Sequence, residues 1–88
     1  LMHDPDNFEV LNDYGLILMD MRRLENADRI FKRVQQMRPD AVAPLFNRLE
    51  LSLVRGDKNL ATQLIKKLRS MDIPPQADKR LDEISRRL

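Results

Sequence analysis

Eighty-eight residues make room for one small domain, whose folding hides only about 60–65% of the unfolded surface. Charged residues at 34% and apolar residues at 42% exclude disorder. The absence of Cys excludes disulfides, zinc–thiolate sites and a thiol nucleophile. The net charge of +2 conceals an asymmetry: residues 1–20 hold Asp4, Asp6, Glu9, Asp13 and Asp20 with no Lys or Arg. Residues 21–88 carry sixteen basic against nine acidic side chains, +7, a division that speaks to partners rather than to fold.

No apolar run reaches the roughly 18 residues needed to cross a membrane, and the first residues read as neither a signal nor a transit segment. Leu1 in place of Met points to a piece of a longer chain.

Residues 7–21 are expected to form a helix with a very wide apolar arc of Phe8, Val10, Leu11, Tyr14, Ile17, Leu18 and Met21. Such a helix must pack on both sides, with Gly15 marking the closest approach of a neighbour. A second helix over 25–37 has a narrower stripe of Ala27, Ile30, Phe31, Val34 and Met37. Its outer side carries Asp28, Arg29, Lys32 and Arg33, with Glu25–Arg29 and Asp28–Lys32 at supportive spacing. Pro39 ends it, because the residue before a proline is pushed out of the α region.

A third helix is expected over 41–54, with Asp40 as its N-cap and Pro44 tolerated in its first turn. Arg55-Gly56-Asp57 is the following turn, in which Gly56 takes the left-handed position and Asp57 caps a fourth helix over 58–71. That helix gathers Leu60, Ala61, Leu64, Ile65 and Leu68 on one arc. Ile73-Pro74-Pro75 breaks it. Residues 75–88 give a last helix with Ala77, Leu81, Ile84 and Leu88 on one side, suited to closing a stack that must bury one face and solvate the other.

A period of 34 residues runs through these elements. It relates Pro5 to Pro39, Ala27 to Ala61, Phe31 to Ile65 and Val34 to Leu68. Residues 8–41 place Leu11, Tyr14-Gly15, Leu18, Ala27, Phe31 and Pro39 at the offsets of the tetratricopeptide repeat (TPR), which the segment resembles. Leu11 stands where that family has Trp, and Leu18 where it has Tyr. Residues 42–74 form a divergent copy with Leu45, Gly56, Ala61, Ile65 and Leu68 in register and Leu49 where a small residue belongs. Residues 1–7 then read as the end of a preceding repeat or a tail, and 75–88 as the C-terminal capping helix. The resemblance implies an all-α fold of antiparallel helix pairs stacked as a short right-handed α-solenoid.

It also implies a concave groove lined by the first helix of each pair. Carried onto this sequence, the lining positions are Glu9, Asn12, Leu16 and Met19, then Ala43, Phe46, Glu50 and Leu53, with Asp13, Asp20 and Asn47 on the rim. Leu16 sits in the polar arc of its helix, where the core has no need of it. Met19, Phe46 and Leu53 would extend it into an apolar strip with acidic edges. The plainer account is that these residues pack against a neighbouring helix or stand singly exposed, as is normal. The clamp that holds carboxylate termini in the family needs a Lys and an Asn on the first groove helix. Asn12 and Leu16 occupy those positions, and only Asn47 on the next groove helix matches, so no clamp is expected.

Catalysis finds no support. His3 is the single His, in what reads as a tail, and neither metal nor cofactor is expected. The expected partner is another protein, contributing a peptide or helix that is apolar with basic residues. Self-association through the open N-terminal end is the other expectation, with Phe8, Val10 and Leu11 lacking a neighbour and opposite charges favouring head-to-tail contacts. Lys58, Lys66, Lys67, Arg69, Arg80, Arg86 and Arg87 offer nucleic acid a basic convex face, but no Phe or Tyr for stacking lies beyond Phe46. A purely structural capping role is the remaining alternative.

Overall fold

In the computed structural model, which describes residues 7–88, five helices follow one another: α1 (Phe8–Asp20), α2 (Leu24–Met37), α3 (Val42–Arg55), α4 (Lys58–Arg69) and α5 (Pro75–Ser85). The described residues contain no strand. Asn7 opens α1 by accepting a hydrogen bond from the Val10 amide at 3.0 Å, and Asp57 opens α4 in the same way through the Leu60 amide at 3.1 Å. Pro75 occupies the start of α5, where its missing N–H would have had no intrahelical partner. The expected tail or preceding repeat over 1–7 lies, Asn7 apart, outside the described residues, as does His3.

Three boundaries differ from those expected. Asp40 does not cap α3: the turn runs one residue further, and Ala41, with φ −76° and ψ 132°, is the half-helical residue with no side-chain cap. The last turn of α4 stops at Arg69, and α5 stops at Ser85, so Leu88 lies past the helix and is exposed. Between α1 and α2, Arg22 adopts a left-handed φ of 64°, uncommon for a residue with a side chain. This turn carried no glycine to announce it.

Each helix packs on the next, and α1 also reaches α3. Gly15 is buried against Phe31: a Cβ at Gly15 would stand 2.5 Å from Phe31 Cε1. Among the described residues two apolar clusters stand out. One joins Leu18, Ala27 and Phe31 to Leu51 of α3. The larger one comprises Leu45, Phe46 and Leu49 of α3, Ala61, Leu64, Ile65 and Leu68 of α4, and Leu81 and Ile84 of α5. Leu49, where the repeat pattern asks for a small residue, is fully buried in that larger cluster.

The polar joint between α2 and α3 was not foreseen. Asp28 is buried rather than outward-facing, and its Oδ1 accepts a 2.9 Å hydrogen bond from Arg48 Nε. Arg48 Nη1 donates further to Gln35 Oε1 at 3.1 Å. Lys32 does approach Asp28, at 3.6 Å, but no ion pair joins Glu25 to Arg29 among the described residues. The open side of α1 also differs from expectation. Leu11 is buried and Phe8 is half-covered by the Arg38 guanidinium, 5.2 Å from its ring centroid, so the exposed apolar residues there are Tyr14, Ile17 and Met21.

Candidate protein-interaction surface

Facing residues of α1, α3 and α5 are joined by two polar links. Asn47 Nδ2 on α3 donates a 3.0 Å hydrogen bond to Asn12 Oδ1 on α1, both residues being half-buried. Arg80 on α5 forms an ion pair with Glu50 on α3 and lays its guanidinium over the Phe46 ring, 5.6 Å from the centroid. The first link leaves unused polar valence. Each amide side chain carries a carbonyl and an NH2 group, and the bond between them employs one group of each. Asn12 keeps its NH2 group and Asn47 its carbonyl oxygen. Reversing both amides exchanges these roles but preserves one donor and one acceptor.

The second link alters the expected groove. Phe46 is only 6% exposed and belongs to the large core cluster, with Arg80 as its roof, so it is not the apolar strip's surface. Glu50 is half-buried and engaged by Arg80. Leu53 is half-buried against the same cluster, and Leu16 and Met19 are half-buried against the α1–α2 cluster. Glu9, Asp13, Asp20 and Ala43 are exposed. What faces solvent is therefore an Asn pair flanked by partly covered Leu16 and Met19, with acidic Glu9, Asp13 and Asp20 beside it.

Arg80 was missed as part of this surface, although the 34-residue period reaches it. Counting 34 from Asn12 gives Phe46, and 34 more gives Arg80. Asn12 and Phe46 are the fifth residues of α1 and α3, and Arg80 is the sixth of α5.

Neither family models, nor curated proteins, nor solved structures yield a match to this chain. Among the described residues no group of three His, Asp or Glu side chains is arranged to hold a metal ion. No helix among the described residues is long and apolar enough to cross a membrane.

The basic side of the molecule is partly committed as well. Arg69 Nη2 donates to Asp82 at 3.0 Å and to Ser85 at 3.2 Å, tying α4 to α5. A shallow cleft of about 530 Å³ opens where Lys32, Gln35 and Gln36 of α2 face Lys67 of α4. Arg48, which also lines it, is already held by Asp28 and Gln35.

Proposed function

We propose that this chain is a TPR-like segment, a short right-handed α-solenoid with α5 as cap, and that its α1–α3–α5 face binds a segment of another protein without catalysis. Two features support the repeat reading. Each helix packs on its successor while α1 reaches α3, and equivalent positions recur at 34 residues. The observation that carries the binding role is the Asn12–Asn47 pair. Its spare donor and acceptor match the C=O and N–H that every peptide unit offers.

Leu16 and Met19 beside the pair would take an apolar side chain. Glu9, Asp13 and Asp20 would favour Lys or Arg flanking it, chiefly through the rate and orientation of encounter. The ligand is thus a short apolar-and-basic segment. A nucleic-acid role is the weaker reading, because Arg69 is engaged by Asp82.

Panning a random peptide library on the 88-residue chain, with counter-selection on an Asn12→Ala/Asn47→Ala variant, tests this. Enrichment of apolar sequences rich in Lys and Arg that the variant no longer retains is the expected result. Sequences retained equally by both proteins, or no enrichment at all, would sink the proposal.

A further inference from the structure

An exposed apolar area lies on the opposite side of α1 from Asn12. Val10, Tyr14, Ile17 and Met21 recur at helical spacing, and the last three are 43%, 54% and 56% exposed. They account for three of the five large exposed apolar residues among those described. The neighbouring flank of α2 continues this area. Asp28 and Gln35 turn one side of α2 toward Arg48 of α3, which puts Ile30, Arg33 and Met37 on the other side. Ile30 and Met37 are half-buried and Arg33 is exposed. Contiguous apolar surface of this kind marks a site of association.

We infer that the occupant is a second copy of this chain, joined about a two-fold axis running along the helices so that α1 of each copy seats on α2 of its partner. The alternatives are separated by charge. A two-fold axis running across the helices would lay α1 on the partner's α1 and bring Asp13 beside the partner's Asp20, on a helix with no basic residue. Like charges so placed disfavour that arrangement. A head-to-tail contact would need an apolar counterpart on α5, yet Leu81 and Ile84 are buried and the outward side carries Lys79, Glu83 and Arg86.

The axis along the helices preserves height, and the Gly15–Phe31 contact fixes which residues of antiparallel α1 and α2 share a level. Counting outward from it, Val10 stands level with Met37, Ile17 with Ile30, and Asp13 with Arg33. Across the two-fold axis the apolar residues of one copy meet those of the other, and Asp13 meets the partner's Arg33. Neither Asp13 nor Arg33 has an ion-pair partner among the described residues. Such a contact is self-complementary and closed, each pairing occurring twice. The product is an antiparallel bundle of two α1 and two α2 helices. It leaves Asn12 and Asn47 outside and shares only Asp13 with the peptide-binding proposal, so loss of the dimer and loss of the Asn12–Asn47 site are read separately.

Light scattering and sedimentation of the 88-residue chain read the outcome directly. Twice the 10.4 kDa chain mass is expected, with the Ile17→Glu variant monomeric and equally helical by circular dichroism. Asp13→Arg alone and Arg33→Asp alone should each weaken the dimer about tenfold or more, a change of about 1.4 kcal/mol. An equimolar mixture of those two variants should restore it, since both cross-pairs are then of opposite charge. A parent chain that stays monomeric up to about 1 mM, or a dimer indifferent to Ile17→Glu, overturns the proposal. Failure of the mixture to recover overturns the assigned orientation and with it the pairing.

Discussion

Arg22 and Gly56, 34 residues apart, hold the same left-handed position in two turns closed by the same hydrogen bonds. Arg22 N bonds Met19 O and Arg23 N bonds Leu18 O. Gly56 N bonds Leu53 O and Asp57 N bonds Ser52 O. This is the helix-ending motif that glycine favours, because a side chain at positive φ crowds the backbone. The second turn uses glycine and the first does not. Arg22→Gly should therefore stabilise the protein by about 1 kcal/mol, seen as a higher urea midpoint. Gly56→Ala should lower it by a similar amount. Nothing lies within 4 Å of a Cβ at Gly56, so its cost would be wholly that of the backbone.

Gly15→Ala should destabilise for the opposite reason. Its backbone is helical and would welcome alanine, but the added methyl meets the fully buried Phe31 ring. Overpacking of this kind costs about 1–3 kcal/mol. Pairing it with Phe31→Leu should recover part of the loss in chemical denaturation, and an absence of recovery would locate the damage elsewhere.

The buried joint predicts an asymmetry. Arg48 and Asp28 have side chains 10% and 12% exposed. Removing Asp28 leaves the Arg48 guanidinium with only Gln35, whereas removing Arg48 leaves Asp28 with Lys32. Asp28→Leu should cost about 3–5 kcal/mol and Arg48→Met less. The double variant should cost less than the sum of the two. Urea unfolding of the four proteins of that cycle measures it.

Phe46 and Arg80 separate core from surface. Phe46→Asp should unfold the protein or come close, because truncating a buried Phe alone costs about 3–5 kcal/mol and a charge adds to that. Arg80→Ala should change stability by no more than about 1 kcal/mol, since the Arg80–Glu50 pair is 54% and 31% exposed. Thermal melts distinguish the two. Near-equal effects would show that Arg80 anchors α5 rather than roofing Phe46.

Local chemistry was readable in the sequence. Asp57 as cap and Gly56 at positive φ followed from residue type, and Gly15 as the point of close approach followed from its place within an apolar arc. What escaped depends on distant partners. Asp28 looked like a surface acid because Lys32 stands four residues on, and only α3 arriving with Arg48 buries it. Phe46 looked like groove lining because the repeat resemblance assigns its position to the groove. The arrival of α5, whose Leu81 and Ile84 join its cluster and whose Arg80 covers its ring, makes it core. Asp40 failed as a cap through a one-residue difference in turn length, which residue type does not fix.

The two apolar clusters meet in a single element. Leu45, Phe46 and Leu49 of α3 serve the larger cluster while Leu51, on the same helix, serves the smaller. The α1–α2 hairpin holds to the rest through α3, in contacts that include Leu51, the Arg48–Asp28 joint with Gln35 and the Asn12–Asn47 bond. Amide hydrogens of α1 and α2 should exchange with solvent as one cooperative group, at lower free energy than those of α3 and α4. The protein would then breathe as a hairpin swinging from a three-helix remainder, with α3 as the shared spine.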